Sequence, residues 1–265
     1  MDSGIILRCA ASFVAGAACQ YVVSSLIWPN RHKTYTWWFS LRNHRKLGEP
    51  CKSDIVLDRD GYSLGFSKKR KCALWVSYII SKGSVGVDVD RGIRFYADPD
   101  VPEECRVRPE NFTNSGYDKG HLAPSATIDF SVKSNSQTFA MTNIALQHPK
   151  LNRQAWGNLE GIIRGWTHTK GKLAVVTGPL YGMRSKRVNN IPVPRNFYKV
   201  VYSFKHNAYI GFILPNTDIK AGELWKYAMP VLEVEKETGY KFFSKLKKKK
   251  QRAKKASDLS WWKDN

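Results

Sequence analysis

The sequence predicts an α+β fold on three observations. Runs rich in β-branched and aromatic residues at 73–81, 173–176, 197–204 and 209–214 read as strands of a core sheet. Two stretches, one beginning near Asn152 and one from Gly222 to Thr238, carry helical patterns. The chain of 265 residues, 42% hydrophobic and 12% aromatic, suffices for a packed core and excludes disorder throughout. Charge narrows the function classes. The 43 basic against 22 acidic residues leave +21, which favours a polyanionic partner: nucleic acid first, an anionic membrane surface second, and a merely basic soluble protein third.

Taken in order, the chain opens on twenty residues without a formal charge, Cys9 to Trp28. As a helix they would cover about 30 Å, so residues 1–30 read as a membrane anchor or targeting segment. Only Arg8 precedes the run, against Asp2, which favours an uncleaved anchor over a cleaved signal. Arg31, His32 and Lys33 follow it, and the positive-inside rule puts that side toward the cytoplasm. Residues 31–66 lack clear periodicity and read as a linker and domain entry, with Trp37, Trp38 and Phe39 either at a membrane interface or packed on the domain.

The domain proper is expected over 67–244. Ala73–Ser81 suits a strand, 127–136 a polar loop, and 137–146 a second strand. A helix starting near Asn152 would turn Trp156 and Leu159 inward. At 100° per residue Asn152 and Glu160 then stand about 80° apart around the axis, close enough to border one site. Asn152 could also serve as the N-cap. The pattern over 222–238 is interrupted at Pro230 and closed by Gly239, a C-terminal stop. Residues 245–265 read as a basic tail: Lys245–Lys255 holds eight basic residues in eleven, which suits a solvated, mobile segment able to touch phosphate or anionic lipid or to act as a localisation signal. Cys51, Cys72 and Cys105, outside the apolar segment that holds Cys9 and Cys19, show no close C-x-x-C spacing and allow at most one internal disulfide.

Chemistry concentrates in Tyr117–Ser125, Y-D-K-G-H-L-A-P-S. His121 follows Gly120, which permits close approach to a ligand, and precedes Leu-Ala-Pro, where the proline keeps Ala123 out of the α region. An imidazole there ends a strand or opens a loop, positioned yet reachable by solvent. Alone, the run is as readily a polar turn. A second run from Thr142 to Glu160, T-N-I-A-L-Q-H-P-K-L-N-R-Q-A-W-G-N-L-E, adds Asn143, Asn152 and Glu160.

Together the two runs resemble the DNA/RNA non-specific endonuclease family, the endonuclease G-like ββα-metal nucleases. The family's D-R-G-H, S-N-I-x-P-Q and L-N-x-x-x-W-x-x-L-E appear here as D-K-G-H, T-N-I-A-L-Q and L-N-R-Q-A-W-G-N-L-E, with weaker similarity from about Ser67 to Phe243. The resemblance implies a mixed central β-sheet with flanking helices and a ββα-metal finger formed by the strand at His121, its return and the helix from Asn152. It implies a metal-dependent, sequence-non-specific endonuclease that hydrolyses phosphodiester bonds in DNA and RNA. In that reading His121 is the general base, and Asn152 is the one direct protein ligand of Mg²⁺, for which Mn²⁺ could substitute. Glu160 holds a metal-bound water, Asn143 fixes the His121 loop and Asp118 stands in support. Arg94, from an R-F-x-x-D pattern, and Lys119 contact phosphate. Lys119 departs from the family's usual arginine, keeping the charge and losing the bidentate fork.

The implied partners are DNA and RNA through their phosphate backbones, a membrane through residues 9–28, and a second copy in a homodimer. The implied location is membrane-anchored or exported (periplasmic or extracellular), or mitochondrial in a eukaryote, at odds with the orientation that the positive-inside rule gives. Two rivals fit charge, anchor and tail equally well: a membrane-anchored nucleic-acid-binding protein on a nuclease scaffold with weakened catalysis, and a basic membrane-surface adaptor. The combination of His121, Asn152 and Glu160 favours the enzyme, because a binding module has no need of it.

Overall fold

Strands form where apolar and aromatic residues run long enough to be buried on both faces, and they assemble into one sheet. The computed structural model describes residues 44–86, 89, 94–255 and 258–264, all within the unit Leu41–Asn265. The expected anchor at 1–30, the aromatics at 37–39, Cys9 and Cys19 lie outside them. Among the described residues no helix is long and apolar enough to cross a membrane, and Cys51, Cys72 and Cys105 are free thiols.

In chain order the elements are β1 (Ile55–Asp58), β2 (Ser63–Ser67), β3 (Cys72–Ile80), β4 (Asp118–His121), α1 (Val132–Gln137) and β5 (Ile144–Gln147). A continuous helical run, α2, follows: it is α-helical over Pro149–Leu151, passes through a π turn over Asn152–Trp156 and continues as Gly157–Thr169. Then come β6 (Leu173–Leu180), β7 (Arg187–Val188), β8 (Ile191–Pro192), β9 (Asn196–Ser203), β10 (Ala208–Pro215), β11 (Ala228–Met229), α3 (Val231–Thr238), α4 (Lys248–Gln251) and α5 (Leu259–Lys263). Seven strands form the sheet in the order β1-β2-β3-β6-β9-β10-β11, with β4-β5 and β7-β8 as separate ribbons.

The α+β class with a central sheet and flanking helices holds. The sheet is antiparallel throughout rather than mixed, because each of its neighbouring pairs runs antiparallel. Adjacent residues of a strand point to opposite faces. On β9, Phe197 meets Trp156 of α2 at 5.5 Å between centroids, whereas Tyr198 meets Tyr240 and Phe242 on the other side. Helix α2 turns Leu159, Ile163 and Trp166 inward at helical spacing, and burying aliphatic side chains such as the first two contributes about 1.5–3 kcal/mol each.

Four expectations change. Residues 44–66 are not linker: β1 and β2 are the sheet's first two strands, with Leu64 and Phe66 buried. The 127–146 stretch is not a loop and a long strand. It holds α1, capped by the Ser131 hydroxyl accepting from the Ser134 amide, and only the short β5 is extended. The helix expected near Asn152 begins earlier, at Pro149, a residue whose missing N–H suits a first turn, so Asn152 lies inside α2 and caps nothing. The 222–238 pattern resolves into a 3₁₀ turn (Ala221–Tyr227), β11 and α3, the last stopped by Gly239 at φ 72°.

Part of the described basic tail packs onto the domain, while Lys245 and the run at 247–250 are exposed. Lys254 is buried, pairs with Glu235 at 2.8 Å and donates to the Phe242 carbonyl. Trp262 of α5 is buried against Trp166 at 4.5 Å between centroids. The Lys170 ammonium donates to the carbonyls of Trp261 and Asp264, at 2.8 Å each.

At the other end of the unit, His44 is buried. Its Nδ1 accepts from the Ile79 amide and its Nε2 faces the Asp60 carbonyl, both at 3.3 Å. Burial, only partly offset by the Asp60 carbonyl, lowers its pKa to about 4. Protonation would set a second N–H against the Ile79 N–H. The unfolded chain therefore binds a proton first, and stability present above pH 6.5 is lost as pH falls toward about 4. With roughly 1.4 kcal/mol per pKa unit the loss is about 3 kcal/mol. Urea unfolding of His44→Gln beside the parent should show their stabilities converging between pH 7 and pH 4.5. Parallel pH curves would assign the acid sensitivity elsewhere.

Candidate active site

The β4-β5 ribbon sets the site. Its register pairs Asp118 with Gln147 and His121 with Ile144, and Gly120 is required because a Cβ there would stand 2.2 Å from the Gln147 Oε1 and 2.6 Å from its Cβ. The close approach this glycine permits is to the neighbouring strand, not to a ligand. His121 is the last residue of β4.

Beyond it the backbone is held by Asn143. Leu122 donates to the Asn143 carbonyl at 3.0 Å and Ala123 to its Oδ1 at 2.9 Å, while its Nδ2 donates to the carbonyls of Ala123 at 3.0 Å and Thr138 at 2.8 Å. Asn143 is fully buried, so each of these bonds would be costly to lose. Next to it, the Thr142 hydroxyl donates to Asp98, which also takes a two-oxygen contact from Arg59. Asp98, the acid of the R-F-x-x-D pattern, is thus a structural anchor.

The half-buried His121 ring lies between Phe95, at 5.4 Å, and Phe139, edge-on at 5.1 Å. Its Nε2 is buried and makes no hydrogen bond among the described residues. Burial lowers its pKa to about 4, so the imidazole is neutral at neutral pH and has a free lone pair or N–H to offer. A nitrogen left in this way in a folded protein points to a role or a partner beyond the chain.

His121, Asn152 and Glu160 line one cavity of about 90 Å³, together with Pro124, Ser125 and Ala126. The ideal helix count undershoots how this happens, because the π turn over Asn152–Trp156 inserts an extra residue and resets the phase between the two α2 side chains. Asn152 is oriented by Asp118: its Nδ2 donates to the carboxylate Oδ2 at 2.9 Å. A carboxylate only accepts, so the amide nitrogen must face it, which leaves the amide oxygen uncommitted. Asp118 also takes both arms of the Arg153 guanidinium, at 2.9 and 2.8 Å. Burial pulls the Asp118 carboxyl upward, but the bonds from Arg153 and Asn152 outweigh it and hold its pKa below the usual range.

Glu160 faces a fully buried lysine. Lys199 Nζ lies 3.2 Å from its Oε1 and 4.2 Å from the Trp156 ring centroid. Burial raises the Glu160 pKa, against the pull of Lys199, and burial lowers that of Lys199. One uncommitted amide oxygen and one carboxylate suit a hard divalent cation that keeps most of its waters. Among the described residues no group of three or more His, Cys, Asp or Glu could hold a metal, so a closed, many-ligand cage does not fit.

Lys119 and Arg94 do not line this cavity. The Lys119 ammonium lies over the Phe95 ring at 5.6 Å, on the aromatic that touches His121, and Arg94 is exposed. Two residues that the sequence analysis missed complete the arrangement. Arg153 gave no local signal, since its partner lies 35 positions away. Lys199 did: a lysine in N-F-Y-K-V-V-Y-S breaks an otherwise apolar strand.

The DNA/RNA non-specific endonuclease model matches residues 43–249 of this arrangement. The chain belongs to this family. It is a nuclease, a phosphodiester hydrolase of the non-specific endonuclease kind. A nuclease from Syncephalastrum racemosum is 32% identical over 77% of this chain and 72% of its own length. Nuclease C1 of Cunninghamella echinulata is 32% identical over 76% and 87%, and human mitochondrial endonuclease G is 30% identical over 74% and 72%. Among solved structures, a chain of the EndoG/EndoGI complex superposes with a TM-score of 0.72 at 28% identity, covering 78% of this chain and 93% of that one.

Proposed function

We propose that the protein is a metal-dependent endonuclease cleaving DNA and RNA without sequence preference. The observation that carries this reading is the uncommitted Nε2 of His121 in the group that shares a cavity with Asn152 and Glu160. Neutral His121 takes the proton from the water that attacks phosphorus. Asn152, through its amide oxygen, and Glu160, through water, would hold Mg²⁺, with Mn²⁺ as a substitute. When bound, such an ion supplies Lewis-acid stabilisation of the phosphate and the leaving oxygen. Asp118 keeps the Asn152 amide turned the right way, and Asn143 fixes the backbone beyond His121. Lys119 and Arg94 contact the phosphodiester strand near Phe95. With +21 net charge, binding is dominated by phosphate contacts and weakens steeply with salt.

The test is cleavage of supercoiled plasmid and of a structured RNA by the full chain, with Mg²⁺ and with EDTA. Cleavage of both that EDTA stops supports the proposal; salt-sensitive binding without cleavage under any divalent metal moves the protein to the binding-module reading. Asn152→Ala is expected to raise the Mg²⁺ concentration for half-maximal cleavage by about 10-fold or more, the size of a lost metal contact. An unchanged titration would remove Asn152 from the metal site. Location is proposed as mitochondrial or exported, on the strength of relatives whose own names are mitochondrial, with residues 9–28 as anchor or targeting segment.

A further inference from the structure

A larger cavity, of about 350 Å³, lies away from the His121 site. One of its walls is Tyr240, which packs on Tyr198, and Tyr198 points to the face of β9 opposite the one that Phe197 presents to Trp156 and α2. The His121 cavity takes Asn152 and Glu160 from α2, so the two cavities belong to opposite faces of the sheet.

The lining brings two arginines to one space. Arg45, Arg59, Arg106 and Arg153 all pair with carboxylates. Arg70 and Arg195, both on this cavity, form no ion pair among the described residues, although Glu237 lines the same space. Arg70 instead lies over the Tyr181 ring, 4.8 Å from its centroid. The Arg195 backbone is pinned, its amide donating to the Leu180 carbonyl at 2.8 Å and its carbonyl accepting from Asn216 at 2.9 Å. Its exposed guanidinium is thus anchored at the root and uncommitted at the tip. Asn196 adds an amide to the same lining.

Two guanidiniums without a carboxylate partner among the described residues match a phosphate group, which can take them bidentately. Tyr240 supplies an aromatic wall to a planar base. The separate carboxylate of Glu237 suits the hydroxyls or amino groups of a nucleoside, and it argues against a plain phosphate or sulfate site. The volume matches a small-molecule pocket. We propose that this cavity is a second ligand site, taking a nucleotide through its 5′-phosphate, separate from the cleavage site.

Binding of adenosine 5′-monophosphate, of inorganic phosphate and of a 5′-phosphorylated oligothymidylate to the full chain would be measured in EDTA by calorimetry. Arg195→Ala should weaken the nucleotide at least about 10-fold, the effect of one charge-assisted contact, with plasmid cleavage in Mg²⁺ unchanged and Arg195→Lys recovering part of the loss. Glu237→Gln should weaken adenosine monophosphate and leave inorganic phosphate as it was. Tighter binding of the oligomer than of the monomer would identify the ligand as a strand end, and the reverse a free nucleotide, provided that either depends on Arg195. Affinity unchanged in both Arg195→Ala and the Arg70→Ala/Arg195→Ala double variant, or lost instead in His121→Ala, overturns the proposal. Neither result bears on the nuclease assignment, because the readout is binding without metal.

Discussion

His121→Ala is expected to lower plasmid cleavage by at least about 10³-fold, within the range of a lost general base, while DNA affinity at fixed salt changes little. The two effects separate because affinity comes from charge spread over the surface, whereas His121 contributes a neutral ring whose pKa burial lowers to about 4. Replacing it removes no positive charge at neutral pH. It does remove the neutral imidazole whose buried Nε2 makes no hydrogen bond among the described residues, the nitrogen placed to take the proton from water. Gel-shift titration beside the cleavage assay decides the matter: equal loss of binding and cleavage would make His121 a structural or substrate-binding residue rather than the base. Asn143→Ala provides the contrast. It should lower both activity and thermal stability, since that side chain makes two bonds to the Ala123 backbone beyond His121 and a third to the Thr138 carbonyl.

How much of this could be read from the sequence depends on how local the determinants are. His121, Asn152 and Glu160 stand in short fixed-spacing runs, and the strands that form the sheet's centre are long apolar segments, so both were legible. Strand β2, S-L-G-F-S, is buried throughout yet three of its five residues are small or polar, which hides it from a test for alternation. Helix α1, V-K-S-N-S-Q, has no apolar period because it docks through polar contacts: the Asn135 amide donates to the carbonyls of Ser125, at 2.9 Å, and Ile128, at 3.3 Å, holding the loop after His121. The tail looks solvated because its lysines are consecutive, and only the distant Glu235 and Trp166 reveal that Lys254 and Trp262 go inward. The Asp118–Arg153 pair was invisible for the same reason.

Lys199→Met should destabilise the protein by about 3–5 kcal/mol, the cost of leaving a buried carboxylate without its partner. For a folded unit of this size that lowers the melting temperature by roughly 10 °C. The volume of methionine is close to that of lysine, so packing against Trp156 is largely kept and the loss reports the ion pair with Glu160. Burial already raises the Glu160 pKa, and Lys199 is the main force opposing it. Without the lysine, the carboxyl titrates higher still. Glu160 therefore ionises at higher pH than in the parent, so the variant's cleavage should need a higher pH than the parent's to reach the same fraction of its maximum. Adding Glu160→Gln to Lys199→Met should restore much of the stability by removing the unpaired charge, and none of the activity. Thermal unfolding of the four combinations measures the coupling directly. If the Lys199→Met variant melts with the parent, the two side chains contribute no net pairing energy, and Glu160 is held ionised by something other than the lysine beneath it.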